Sequence, residues 1–357
     1  MRLGSGKPDA GRSPSFYGRP PAGLLECSGL LECSGLRERW PKTHLFCGSV
    51  DLGFYAGAMT STSITSAAAL AALLAETGYL ADEGLATIGY LALAMERPLL
   101  LEGEPGTGKT ALAEALAQAL KIPLIRLQCY EGIDASQALY DWDFTAQILH
   151  LRSVEAGSDK APGANSLRTA ELENSLYDER FLLARPVLKA LQQSPAVLLI
   201  DEIDRADDEF EAFLLEVLST YQVSIPEFGT VKAATPPIVV LTSNRTRDLH
   251  DALKRRCLYH WIDHPGLARE VEIVRTRLPQ VPPPLAEQVV RAVQQIRVTE
   301  NIMKPPGVAE TLDWARALHL LGSPELDLAS AAASIGALCK YREDTERVSA
   351  ALARMLG

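Results

Sequence analysis

The stretch that constrains this chain most is LLLEGEPGTGKTALAEAL at residues 99–116. Within it Gly103, Glu104, Pro105, Gly106, Thr107, Gly108, Lys109 and Thr110 fit the pattern G-x-x-x-x-G-K-[ST]. An apolar, strand-like run precedes the turn and a helix-forming run follows it. Glycines let the backbone curl until consecutive N–H groups converge, and the following helix adds the positive end of its dipole, so the turn is suited to phosphate oxygens. Lys109 is expected to reach the terminal phosphates, and the Thr110 hydroxyl to join the shell of a Mg²⁺ ion. Phosphate held in this way has three fates: transfer, a timed switch, or mechanical work.

Three further apolar runs extend the pattern. IPLIRLQC at 122–129, AVLLIDE at 196–202 and PIVVLTSN at 237–244 read as strands, and the unbroken apolar character of AVLLIDE fits a strand buried on both faces. Helices are expected over 66–76, 83–95 and 110–120, so strands alternate with helices and the fold class is α/β, a doubly wound parallel sheet. In such sheets ligands gather at the carboxyl ends of the strands. Asp201, at one strand tip, is placed for the Mg²⁺ shell, and Glu202 beside it for polarising an attacking water. Asn244, at another tip, is placed to hydrogen-bond the water or the γ-phosphate, although asparagine also starts turns. DALKRRCLYHW at 251–261 puts Lys254, Arg255 and Arg256 at the end of a short helix. Such a cluster complements the helix dipole, and it also suits an arginine offered to a neighbouring subunit's γ-phosphate.

Together these segments resemble the AAA+ ATPases, a P-loop NTPase family. GEPGTGKT, LIRLQCYEG, LLIDEIDRADDEFEAFLLEVLS, IPEFGTV and VVLTSNRTRDLHDALKRRC are similar to segments of the MoxR branch. LQCYEG, SNRTRDLHDALKRRCLYHWI and KPPGVAETLDWARAL resemble the CoxD-like accessory ATPases associated with carbon monoxide dehydrogenase and other molybdenum hydroxylases. The resemblance implies that Lys109 and Thr110 belong to Walker A, Asp201 and Glu202 to Walker B, and Asn244 to sensor 1. It makes Arg256 the first choice for an arginine finger and Arg255 the second. It also implies ATP and Mg²⁺, a homo-oligomeric, hexameric ring in the family's manner, a protein client such as a molybdenum hydroxylase, and a partner carrying a von Willebrand A domain. One departure stands out: GVAET at 307–311 occupies the place where relatives often carry a sensor 2 arginine, and the next arginine is Arg316.

Three regions are expected. Residues 1–58 are rich in Gly, Pro, Ser and Arg, contain a tandem LLECSG, and read as a tail or an extension of the gene model upstream of Met59. Residues 59–264 form the nucleotide-binding core, with an insert around 132–180 that includes YDWDF at 140–144. Beyond His264-Pro265-Gly266, helices at 267–277, 285–298, 308–321, 326–341 and 343–355 make a C-terminal all-helical lid domain spanning 265–357.

Composition narrows the partners. A net charge of −10 and a pI of about 5.2 supply no basic field for nucleic acid. The longest apolar stretch, at 86–101, is interrupted by Glu96, Arg97 and Pro98, so no stable membrane insertion is expected. Six cysteines without a CxxC pair fit free thiols in a reducing, cytoplasmic setting. A GTPase is disfavoured because Asn244-Arg245-Thr246-Arg247 has Arg where a guanine-reading motif needs Asp. A small-molecule kinase shares the phosphate loop but has no need of the Asp-Glu pair, the Asn strand and a distal arginine cluster. A scaffold that binds ATP without turnover is argued against by Glu202. The favoured reading is Mg-dependent ATP hydrolysis that remodels or matures a client protein, with a P-loop small-molecule kinase or an ATP-binding scaffold as the alternatives.

Overall fold

The computed structural model describes residues 64–157, 175–226, 228–299 and 301–356; the expected tail at 1–58 and part of the expected insert lie outside them. In chain order the elements are α1 (Ala67–Glu76), α2 (Glu83–Ala94), β1 (Leu99–Gly103), α3 (Lys109–Leu120), β2 (Leu124–Gln128), α4 (Ala135–Ala138), β3 (Tyr140–Trp142), α5 (Phe144–Gly157) and β4 (Leu182–Ala184). There follow α6 (Pro186–Gln192), β5 (Val197–Asp201), α7 (Asp208–Thr220), β6 (Gln222–Ile225), β7 (Gly229–Lys232), β8 (Ile238–Ser243), α8 (Asp251–Arg256) and β9 (Leu258–Ile262). The last five are helices: α9 (Leu267–Arg277), α10 (Pro283–Arg297), α11 (Val308–Leu320), α12 (Leu328–Leu338) and α13 (Arg342–Leu356).

Five strands form one parallel sheet in the order β2-β5-β8-β1-β9. Because side chains alternate along a strand, the central strands feed two cores. Leu99, Leu101, Val197, Leu199, Ile238 and Val240 pack on one face with α1, α2 and α3. Leu100, Leu198, Ile200, Val239 and Leu241 face the other side with α6 and α7. Local signals start the helices: Ser66 accepts from Ala69 N–H, Asp82 from Leu85 N–H and Asp207 from Phe210 N–H, and Pro186 opens α6.

Four of the five strands coincide with the apolar runs read from sequence. The fifth, β9, sits in a segment read as the end of a cationic helix. Its LYHWI has the aromatic content of a strand, but α8 before it is too short to give the spacing of an ordinary strand–helix repeat. Two small antiparallel pairs, β3 with β4 and β6 with β7, also went unread, being only three or four residues per strand. After β9 the chain is helical, and α9 to α13 enclose a third core that includes Val274, Leu285, Val289, Val293 and Trp314. No helix among the described residues is long and apolar enough to cross a membrane. Cys129, Cys257 and Cys339 are free, and burial pushes the Cys129 and Cys257 thiols up to about 12, so they behave as core residues rather than nucleophiles.

Candidate functional site

The glycine turn joins the end of β1 to the start of α3, and Gly106 and Gly108 take φ of +79° and +95°, which only glycine adopts without strain. Lys109 is the first residue of α3 and is buried at 6% exposure. Its ammonium donates to the carbonyls of Gly103, at 2.7 Å, and Glu104, at 2.8 Å, while burial holds its pKa below the usual lysine range. Thr110 Oγ1 donates to Asp201 Oδ1 at 3.1 Å, bringing the two expected metal ligands together across the tips of β1 and β5. A hydroxyl and a carboxylate oxygen are hard donors, so this pair fits Mg²⁺.

Asp201 is held from two further directions. Thr242 Oγ1 donates to its Oδ1, and Arg126 Nη2 donates to its Oδ2 at 2.5 Å. Arg126 also donates to Gln128 Oε1, and Gln128 Nε2 in turn donates to Glu202 Oε2 at 3.1 Å. Glu202 takes a left-handed φ of +56°, a conformation that costs a non-glycine residue about 1–3 kcal/mol and turns its side chain out of the strand direction. Its carboxylate is further oriented by Arg205 Nε at 2.9 Å and by Asn244 Nδ2 at 3.4 Å. The expected water activator and the expected phosphate reporter are therefore in contact.

Asp204 explains why Asn244 stands where it does. Its carboxylate, 2% exposed, accepts from the N–H groups of Asn244 and Thr246 and from Thr246 Oγ1. Burial alone raises its pKa; the donors from Thr246 and Asn244 outweigh it and hold the group below the usual carboxylate range. Arg126, Gln128, Asp204 and Thr242 were not singled out from sequence. Arg126 and Gln128 alternate on β2 toward the strand tips, a two-residue spacing readable in LIRLQC once β2 is known to lie beside β5.

Lys109, Thr110, Arg126, Asp201, Glu202 and Asn244 line a cavity of about 860 Å³ that also touches Tyr79, His264, Arg269 and Val308. His264 Nδ1 is buried without a hydrogen-bond partner among the described residues, and burial followed by the nearby Arg297 charge lowers its pKa. Arg316 is exposed on α11 and does not line the cavity. The two candidate fingers lie elsewhere, at the end of α8. Arg256 Nη1 donates to the Leu215 carbonyl on α7 of the same chain. Arg255 is exposed, and no hydrogen bond or ion pair engages its side chain among the described residues. Arg97 clamps this helix end, donating to the carbonyls of Arg256 at 3.0 Å, Arg255 at 2.7 Å and Cys257 at 3.4 Å.

A parallel sheet with a phosphate loop after β1, an Asp-Glu pair after β5 and an Asn after β8 defines a P-loop fold of the AAA+ type. Residues 99–262, from β1 to β9, match the model of the AAA family, "ATPase family associated with various cellular activities". An uncharacterized protein of Staphylococcus epidermidis is 26% identical over 176 residues, which is 48% of this chain and 57% of that relative. Midasin of Giardia intestinalis is 36% identical over 120 residues, 30% of this chain and 2% of midasin. Among solved structures, the RuvB Holliday junction branch migration motor of Thermotoga maritima is 17% identical with a TM-score of 0.37, covering 67% of this chain and 61% of that one. The matched part thus spans less than two thirds of each of these proteins.

Proposed function

We propose that the protein hydrolyses ATP with Mg²⁺ and that a second copy of the chain completes each site. The observation that carries this reading is the convergence of Thr110, Asp201, Glu202 and Asn244 on one cavity beside the phosphate loop. Thr110 and Asp201 would hold the Mg²⁺ ion, which supplies charge neutralisation at the phosphate oxygens. The loop N–H groups and Lys109 bind and orient the triphosphate. Asn244 and Glu202 position a water whose oxygen bonds to the γ-phosphorus as the bond to the β–γ bridging oxygen breaks, and Glu202 accepts the proton.

The finger is assigned to Arg255. Arg256 is the first choice from sequence, but its guanidinium is engaged with Leu215 of its own chain, whereas Arg255 projects from the same helix end with no partner among the described residues. An arginine donated to a neighbour makes a head-to-tail contact, and repeated head-to-tail contacts close into a ring, for which a hexamer is proposed. Turnover per subunit, measured against protein concentration alongside native mass, tests this: activity should rise with assembly. A strictly monomeric protein with brisk turnover overturns the shared site.

The work is proposed to be remodelling of a client, a molybdenum hydroxylase, together with a partner carrying a von Willebrand A domain. This rests on the resemblance of LQCYEG, SNRTRDLHDALKRRC and KPPGVAETLDWARAL to the CoxD-like group. Deleting the gene should leave the hydroxylase immature in the source organism; full hydroxylase activity in the deletion strain removes that client.

A further inference from the structure

The first turn of α11 rests directly on the phosphate loop. Ala309 N–H donates to the Gly106 carbonyl at 3.2 Å. A Cβ placed on Gly307 would lie 2.7 Å from the Pro105 carbonyl oxygen and 2.9 Å from Gly106 Cα, so the two backbones meet with no room for a side chain. Glu310 Oε2 closes the turn by accepting from Gly307 N–H at 2.9 Å.

The same turn is anchored behind. Arg297 Nε donates to the Pro306 carbonyl at 2.7 Å, and its guanidinium forks onto Glu270, which is fully buried, at 2.6 and 2.7 Å. Thr311 Oγ1 donates to Glu270 at 2.8 Å, and Gln294 links Glu270 to the Pro265 carbonyl at the start of the helical region. The 306–311 turn is therefore fixed to α9 and α10 and presses on the loop as part of a rigid body.

A trans peptide is planar, with C=O and N–H on opposite sides. Fixing the Gly106 carbonyl toward α11 therefore aims the Thr107 N–H away from α11, within a loop whose N–H groups must converge to bind phosphate. We propose that Gly307 and Ala309 are positioning residues for nucleotide: the helical region sets the phosphate loop through a backbone latch, at the place where the sequence offers GVAET and no arginine. This rests on the reading of residues 103–110 as the nucleotide site.

Gly307→Ala is a clean test because Gly307 has φ −81° and ψ −175°, which alanine adopts freely. The methyl would meet the Pro105 carbonyl and Gly106 Cα of the loop, which are backbone, and Glu310 Oε2 at 2.9 Å, which is the end of a flexible side chain and can shift. Titration of the full chain with a fluorescent ADP analogue should show affinity at least about tenfold weaker in Gly307→Ala, while the circular dichroism spectrum and nucleotide-free melting stay close to wild type. Affinity within about twofold of wild type overturns the latch. Wild type itself failing to bind the analogue instead overturns the nucleotide site, and so separates the two claims. Should Gly307→Ala not fold, hydrogen exchange of wild type decides. The Ala309 amide should be protected, and more so with ADP bound; exchange as fast as a free helix-end amide under both conditions sinks the proposal.

Discussion

Two clusters of buried charge divide the molecule, one at the strand tips and one inside the helical region, and they are built on opposite plans. At the strand tips Asp201 and Glu202 are paired with Arg126 and Arg205, whose side chains are about half exposed, and Arg126 lines the cavity. Such partners can be exchanged for a ligand's groups at little cost, since ion pairs open to solvent contribute little to stability. In the helical region Glu270 and Arg297 are 0% and 7% exposed, and Arg297, Gln294 and Thr311 satisfy the carboxylate completely. Nothing is left to bind. The first cluster is organised for chemistry and the second for shape, and the 306–311 turn is where the second touches the first.

The comparison breaks most sharply at the subunit contact. Arg255→Ala should lower turnover by about 10³–10⁵-fold with cis nucleotide affinity unchanged, since an arginine supplied from outside is worth that much in related phosphoryl transfer. Mixing it with Glu202→Gln subunits should restore part of the activity, because each variant supplies what the other lacks. If Arg256→Ala shows the larger loss, the finger moves back to Arg256. Next comes Glu202→Gln, expected to bind ATP normally and turn over about 10²–10⁴-fold more slowly. Normal turnover by phosphate release reassigns the water-activating role.

The shape cluster should respond in stability rather than in chemistry. Arg297→Ala strands a buried carboxylate and should cost about 3–5 kcal/mol by denaturant unfolding, whereas a double replacement of Glu270 and Arg297 by methionine should recover most of it. A double variant as weak as the single one makes the pair more than a packing device. Arg97→Ala is the smallest change, about 1 kcal/mol of stability from the lost carbonyl contacts at the end of α8. Its sharper readout is donor function: in mixed assemblies an Arg97→Ala subunit should fail as a finger donor while keeping its own site active. Equal loss in both roles denies Arg97 a part in presenting Arg255.

The two clusters also differed in legibility. Asp201, Glu202 and Asn244 stand at the ends of unbroken apolar runs, so local pattern alone marks them as strand tips. Glu270, Gln294, Arg297 and Thr311 come from three helices, each of them a charged or polar residue on an amphipathic stretch, and nothing local distinguishes them from a solvated face. Arg126 and Gln128 were hidden for a related reason. Their role depends on β2 pairing with β5, across more than 70 residues of intervening chain. β9 was obscured by the cations just before it, and Asp204 by its place in a turn that looks solvent-facing.

From the sequence alone came the phosphate loop, three strand tips, four of the five sheet strands and the run of C-terminal helices, because each is written in residues adjacent along the chain, where backbone conformation and periodicity are set. The fold alone decided which of two neighbouring arginines is free, which side chains brace the Asp-Glu pair, and how closely Gly307 approaches Gly106. Those depend on distances between segments far apart in the chain, and such distances exist only after the cores have packed.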